Sequence, residues 1–418
     1  MDLPFYTISD LDLGGKTVLM RVDINSPINP ETGEILSLKR LEEHARSIRK
    51  LPVCKLVLLA HQSRPGKKDY TGLQEHAKAL SRLLDRDVDF VDTLFGENAL
   101  KQIREMKNGD ILLLENTRFY AEEVALNDAS MGVQSTTHIV RKLSEVADVY
   151  VNDAFSAVHR SQPSLVGFSE LLPSCAGPLM EKELRALVKV TESPQRPSIA
   201  ILGGLKVDDS INVAEYLLST DAIDRLLTTG VVGSMFLWAK GYDLGTPNVN
   251  FIRQEIPDAD GIVERCRKML EDHADKIMYP LDMELNADGE RKRITIEELP
   301  AEYPIYDISI DTIVTYSRVI KESKTIVANG PAGVFEIPEF SEGTKEIFKA
   351  INQADAYSVM GGGETNVVVK TEKLYNIDHV STGGGALISY LSGKTMPVIE
   401  ALKRSREKFA DLSEGEEE

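Results

Sequence analysis

Apolar positions along the chain alternate between two periods. Short runs in which nearly every position is apolar occur at residues 17–22 (TVLMRV), 55–60 (KLVLLA), 88–91, 110–114 (DILLL) and 147–152 (ADVYVN), and read as strands buried on both faces. Between them the apolar residues fall three or four apart. In residues 38–51, for example, Leu38, Leu41, Ala45 and Ile48 share one helical face. Helices are therefore expected near 38–51, 73–84, 97–106 and 130–145. The second half repeats the alternation, with strands expected at 197–202, 224–229, 276–279, 324–328, 355–360 and 377–380. Its helices are expected near 208–219, 234–240, 258–273, 311–322, 341–353, 364–371 and 395–409. Strands separated by helices of this length imply parallel sheets covered on both faces. Between the halves, residues 173–190 read as a Pro/Gly-punctuated turn leading into a helix, and Ser193-Pro194-Gln195-Arg196-Pro197 ends it.

The expected fold class is therefore α/β: two tandem doubly wound parallel-sheet, Rossmann-like domains joined by a helix. The expected boundaries are 1–172 and 193–395, with a connecting helix at 173–192. Sheets of this kind bind ligands at the carboxyl ends of their strands. No short repeat period is present, which excludes solenoids and propellers, and the terminal EGEEE is expected to be a solvated, frayed end.

Charge narrows the partners. The chain has 66 acidic and 48 basic residues, a net charge of −18, so a nucleic acid or an acidic membrane surface is not expected as a partner. Cys54, Cys175 and Cys266 lie far apart and form no metal-like cluster, as suits reduced thiols in the cytoplasm. The first residues lack a basic segment followed by an apolar core, and no apolar run reaches membrane-spanning length.

Against that acidic background, the strand ends of the first half collect cations. They carry Arg21, Asp23 and Asn25 in RVDIN, then His61 and Arg64 in HQSR, Arg118 in ENTRF, and His159 and Arg160 in NDAFSAVHR; Arg40 opens the following helix. Guanidinium groups pair bidentately with phosphate and carboxylate, so the set points to a small, multiply charged anion. Any one of these arginines could be a surface residue paired with a local acid; the set at one sheet edge is harder to read that way.

The second half carries glycines instead. Gly203-Gly204, Gly361-Gly362-Gly363 and Gly383-Gly384-Gly385 each follow an apolar run. A glycine turn lets backbone N–H groups approach an anion at the start of a helix. Lys206, Asn329, Glu364 and Thr365 accompany them, the groups that a magnesium-bound nucleotide polyphosphate requires. Ser392-Gly393-Lys394-Thr395 has the tail of a phosphate-binding P-loop, but Ile388 stands where its first glycine would be, and no GxGxxG opens the first helix. An anion site on one domain and a nucleotide site on the other suggest phosphoryl transfer across a cleft, with closure bringing the reactants together.

The segments RVDINSP, HQSRPG, LLENTRFYAEE, VNDAFSAVHRSQPS, ILGGLKVDD, VANGPAGVFE, VMGGGETN and DHVSTGGGALISYLSGK resemble, in order and along nearly the whole chain, those of phosphoglycerate kinases of the archaeal type. The resemblance implies reversible transfer of the acyl phosphate of 1,3-bisphosphoglycerate to ADP, giving 3-phosphoglycerate and ATP, with Mg2+; the chain is expected in the cytoplasm, as a monomer. It implies that Asp23 and Asn25 hold the glycerate end, supported by Arg21, and that His61, Arg64, Arg118 and Arg160 bind the phosphate that is not transferred. Arg40 would stabilise the moving phosphoryl group, and Lys206 would bind the nucleotide phosphates and follow it. Glu336 would bond the ribose, and the segment Pro331 to Val334, with Gly333, would line the nucleoside pocket. Asn329 and Thr365 would contact phosphate oxygens, with amides from Gly204, Gly361, Gly362, Gly363 and Gly384, while Glu364 would meet the metal. The resemblance also implies that residues 396–418 pack back on the first domain.

Several positions depart from the family pattern. Ser210 replaces its second lysine, Glu364 its metal-binding aspartate and Gln162 its second histidine, and its DIGP turn reads Asp307-Ile308-Ser309-Ile310. Of the glycine triplet in its adenine loop, only Gly230 and Gly233 remain nearby. A hinged binding protein that kept the fold, and a kinase for another acyl phosphate such as acetyl or aspartyl phosphate, are the competing readings. The retained Lys206, Glu364 and glycine turns argue against the first; the number of arginines argues against the second.

Overall fold

The computed structural model describes residues 3–127 and 129–410; the acidic terminus and the rest of 411–418 lie outside them. The chain divides into two compact units, Met1–Arg185 with Thr395–Glu418, and Ala186–Lys394. The division falls within the helix Pro178–Thr191.

The first unit is built on a seven-stranded parallel sheet. In chain order its strands are β1 (Tyr6–Thr7), β2 (Thr17–Arg21), β3 (Lys55–Leu59), β4 (Asp89–Val91), β5 (Ile111–Leu114), β6 (Val149–Asn152) and β7 (Ser174–Ala176). In space the order is β1-β7-β6-β2-β3-β5-β4. Val18 and Met20 of β2 point into a core shared with Leu41, Ala45 and Ile48 of the helix Lys39–Ile48 and with Ala77 and Leu80 of Gln74–Leu84. Leu19, between them, points to the opposite core, with Leu100, Ile103, Ile139 and Phe168. That two-sided burial is why the strands read as unbroken apolar runs.

The expected helix at 130–145 is two pieces, Met131–Gln134 and His138–Ser144. Thr137 interrupts it: its backbone is extended and its hydroxyl accepts from Val140 N–H, so it caps the second piece instead of continuing the first. Ahead of the connecting helix the chain makes β7, a strand the pattern did not show. The helix Pro397–Lys408 packs against β7, where Ser405 Oγ accepts from Ser174 N–H at 2.9 Å.

The second unit has a six-stranded parallel sheet in the order β10-β9-β8-β14-β15-β16. Its strands are β8 (Ser198–Leu202), β9 (Arg225–Thr228), β10 (Ile277–Met278), β14 (Thr325–Asn329), β15 (Tyr357–Gly361) and β16 (His379–Val380). A three-stranded antiparallel sheet stands beside it, with β11 (Asp282–Ala287) between β12 (Glu290–Thr295) and β13 (Ile305–Ile308). This addition, the helix Thr246–Glu255 and the helix Gly384–Leu391 were not expected from the pattern. Among the described residues no helix is long and apolar enough to cross a membrane.

Candidate active site

In the first unit, β6, β2, β3 and β5 are consecutive neighbours in the parallel sheet. The segments that follow them therefore share one edge, and the cations of the sequence lie there. Arg21, the last residue of β2, is fully buried. Its Nε donates to Ser164 Oγ at 3.0 Å, Nη1 donates to Val22 O, and Nη2 donates to His61 Nδ1 at 2.8 Å. Ser164 in turn donates to the buried carboxylate of Glu123, which also accepts from Ser164 N–H. A buried charge needs such partners. Arg21 thus stands behind the site, as support.

That support fixes His61. A guanidinium only donates, so Nδ1 of His61 accepts and its proton sits on Nε2. Burial first, then Arg21, Arg118 and Arg160, hold its pKa well below the usual 6.5, against a smaller opposing pull from Asp23. His61 is a neutral donor at physiological pH. Arg118 donates to Ser63 O, and burial, Arg160 and Arg21 lower its pKa to about 10. Arg160 is also lowered, mainly by burial. Arg160 bears on Arg118, and both bear on His61, so positive charge is crowded here.

The loop after β2 carries the carboxylate. Asp23 is buried and accepts from Arg40 Nη1, Ser156 Oγ and, at 3.1 Å, Asn25 N–H. Burial alone would raise its pKa, but Arg40 above all, with His61, His44 and Arg21, brings it down to about 2. Asn25 Oδ1 accepts from Ser63 N–H at 2.9 Å, joining this loop to the one that carries His61 and the exposed Arg64.

In the second unit, five turns converge at the carboxyl ends of β8, β9, β14, β15 and β16. Gly330 has φ +84°, and a Cβ there would lie 2.3 Å from Gly203 O; one on Gly203 would lie 2.4 Å from Pro331 O. No side chain fits between these backbones, which is why both positions are glycine. A Cβ on Gly230 would stand 3.0 Å from Gly204 N, and one on Gly384 3.6 Å from Gly362 N. The starts of three helices, Gly230–Lys240, Gly363–Thr371 and Gly384–Leu391, are thereby gathered, and helix starts favour anions. Lys206 is exposed and opens the helix Val207–Ser219 beside them.

Glu364 is exposed in the first turn of its helix, its Oε2 3.9 Å from where a Gly204 side chain would begin. Asn329 Oδ1 faces Gly362. Thr365 is fully buried, and its hydroxyl accepts from Gly330 N–H at 3.3 Å, so it fastens the turn.

A cavity of about 390 Å³ opens from these turns, a size that suits a nucleoside. Its lining includes the expected Gly204, Pro331, Gly333, Val334, Glu336 and Glu364. It also includes Asp307, from the turn that departs from the family's DIGP, and Leu205, Phe251, Met283 and Tyr306, which sequence reasoning missed as pocket residues. Leu205 and Phe251 are large apolar side chains left half exposed at this cavity, the surface that a base would cover. Asp307 braces the wall: it accepts from Gly343 N–H at 2.8 Å and Ile308 N–H at 2.9 Å. Burial outweighs these bonds and lifts its pKa to about 7.

Several missed residues had legible signals. The Asp288-Gly289 pair, with φ +54° and +100°, is the turn joining β11 to β12 and marks a hairpin. Pro247 close behind Gly245 marks the start of the helix that carries Phe251. His44 and Ser156, which touch Asp23, and Asp153 behind His44 had no local signal, because the fold alone brings them together.

Taken together, a cationic edge on one α/β unit and glycine-rich helix starts beside a nucleoside-sized cavity on the other define a kinase-type phosphotransferase. A family model described as phosphoglycerate kinase matches residues 8–394. A phosphoglycerate kinase of Thermoplasma acidophilum is 46% identical over 406 residues, 97% of this chain and 99% of that one. One from Methanobacterium bryantii is 48% identical over 405 residues, 96% of this chain and 98% of the relative. The crystal structure of the Pyrococcus horikoshii phosphoglycerate kinase superposes with a TM-score of 0.84 at 40% identity, covering 97% of this chain and 100% of that one. The chain belongs to the phosphoglycerate kinase family, and its activity is phosphoryl transfer between phosphoglycerate and a nucleotide, in glycolysis.

Proposed function

We propose that the two clusters divide the labour of this reaction. Asp23 and Asn25 hold the glycerate, while His61 Nε2–H, Arg64, Arg118 and Arg160 bind the phosphate that stays. Arg40 meets the group in transfer. Lys206, Asn329 and the amides of Gly204, Gly361, Gly362, Gly363 and Gly384 receive the nucleotide phosphates, and the cavity walled by Pro331, Gly333 and Val334 takes the nucleoside, with Glu336 at the ribose. Thr365 serves these contacts by holding Gly330.

The observation that carries this reading is that Arg118 and Arg160, both partly buried beside His61 at one sheet edge, make no ion pair with a carboxylate among the described residues, while burial lowers the pKa of all three. In a chain of net charge −18, that is a place kept for a ligand anion.

Transfer is direct and in line, because the attacking oxygen belongs to the acceptor and needs no general base. The protein supplies position and charge. No group of three metal-ligating side chains occurs among the described residues. Glu364, at the glycine turns that line the cavity, suits Mg2+, which takes one or two carboxylates and draws its other ligands from phosphate and water. The ion would neutralise phosphate charge. Both clusters lie on one chain, so the chemistry asks for no second copy, and the reaction is assigned to a cytoplasmic monomer. The acyl phosphate and the nucleotide must meet, so the proposal includes closure of the two units; identical scattering profiles with and without both substrates would exclude a large one.

Steady-state kinetics test the division. Arg118→Ala is expected to raise KM for 3-phosphoglycerate about tenfold or more, with KM for ATP nearly unchanged. A rise confined to the ATP KM would overturn the assignment. Acetyl phosphate is expected not to replace bisphosphoglycerate in an ATP-forming assay.

A further inference from the structure

The buried contacts behind Asp23 continue past the substrate loop. His44 lies on the helix Lys39–Ile48 and is almost fully buried. Asp23 N–H donates to its Nε2 at 3.0 Å, and its Nδ1 lies 3.0 Å from Asp153 Oδ2. A backbone N–H can only donate, so Nε2 must be the bare nitrogen and Nδ1 carries the proton. The ring therefore has a direction: it accepts from the substrate loop and donates to Asp153.

Asp153 spends its other oxygen elsewhere. Oδ1 accepts from Leu179 N–H at 2.7 Å and Met180 N–H at 3.2 Å, in the first turn of the helix Pro178–Thr191. Those are amides that a helix cannot satisfy from within. The usual solution is an oxygen-bearing side chain on the residue ahead of the helix, but that residue is Gly177. A Cβ on Gly177 would stand 2.4 Å from Asp153 Oδ1. The cap comes from the residue that follows β6 instead of from the local sequence, and the glycine makes room for it. This helix is also where the chain leaves the first unit, since the division falls at Arg185–Ala186.

We propose that His44 is a positioning residue of the phosphoglycerate site, fixing the backbone of Asp23 and tying it, through Asp153, to the first turn of the helix by which the chain passes from the first unit to the second. This rests on the reading that Asp23 holds the glycerate. Occupancy of the loop then bears on the amides of Leu179 and Met180, two hydrogen-bonded residues away. Arg40 and Ser156 fix the Asp23 carboxylate, while His44 fixes its main chain, so the two roles can be separated by mutation.

The test compares His44→Leu, His44→Gln and Asp23→Ala in the full chain, each first checked for a cooperative thermal transition. His44→Leu removes the acceptor and leaves a buried N–H unpaired. KM for 3-phosphoglycerate is expected to rise about tenfold, with KM for ATP within twofold of the parent. His44→Gln offers an acceptor and a donor from one amide and is expected to fall between, which also decides the matter if the leucine variant does not fold. Hydrogen exchange over residues 178–184 is expected to slow several-fold when 3-phosphoglycerate binds the parent, and to lose that response in His44→Leu. If Asp23→Ala raises the 3-phosphoglycerate KM while both His44 variants match the parent, the relay is overturned and the site stands. If Asp23→Ala also leaves that KM unchanged, the site assignment fails and the relay with it.

Discussion

Among the described residues, Asp23 and Arg40 form the one carboxylate–guanidinium contact in the cationic edge, and the two partners differ in exposure. The Asp23 side chain is 6% exposed and Arg40 40%. Half open to solvent, Arg40 can leave Asp23 for a phosphoryl group, whereas Asp23 cannot follow. Arg40→Ala is therefore expected to lower kcat by on the order of 10³, as for arginine fingers, with little change in KM. A pure KM effect would remove Arg40 from the reaction. The same pair governs acid stability. The pKa of Asp23 is near 2, below the usual 3.8, so its contribution is full above pH 4 and is lost as pH falls through 2. A shift of this size is worth about 2 kcal/mol. Urea unfolding at pH 5, 3 and 2 should show that fall in the parent and a flatter curve in Asp23→Asn. Asp307 acts in the opposite sense: with its pKa lifted to about 7, its contribution is greatest below pH 4 and declines as pH rises through 7.

Turns, more than strands, decide what the second sheet can bind. Gly330 and Gly363 lie in two of these turns, yet a Cβ on Gly330 would meet Gly203 O, while one on Gly363 would meet nothing within 4 Å. Gly330→Ala is expected to cost about 2–4 kcal/mol in denaturant unfolding, because backbone must move and φ is positive. Gly363→Ala should stay within about 1 kcal/mol. Equal losses would mean that the packing of these turns does not set stability. The contrast also indicates what sequence could tell. Strands such as β2 and β14 were legible because both faces are buried, leaving a run of apolar residues without gaps. The antiparallel sheet was not, because β12 is Glu-Arg-Lys-Arg-Ile-Thr with its first four residues exposed, and only the Asp288-Gly289 turn betrays it. Glycines and arginines marked the candidate site; Phe251 and Tyr306 stayed hidden, since an apolar residue facing a cavity reads like one facing a core.

Each unit has cores of its own. Residues such as Met20, Leu58 and Leu80 pack together in the first, and Ile201, Ile326 and Phe348 in the second. A ligand stabilises what it binds by RT ln(1 + [L]/Kd), about 2.7 kcal/mol at a hundredfold excess over Kd. The residues assigned to phosphoglycerate all lie in Met1–Arg185, and those assigned to the nucleotide all lie in Ala186–Lys394. With 3-phosphoglycerate alone, slow hydrogen exchange should therefore gain protection over β2, β3, β5 and β6, by up to about a hundredfold for amides that exchange only by unfolding of that unit. With Mg2+ and ADP alone, the gain should fall over β8, β14 and β15. Equal protection of both units by either ligand would mean that the chain unfolds as one cooperative block, and the assignment of one ligand to each unit would then lose this line of support. Protection that follows each ligand into its own unit would instead make the helix Pro178–Thr191, within which the division falls, the segment in which to look for a response to both.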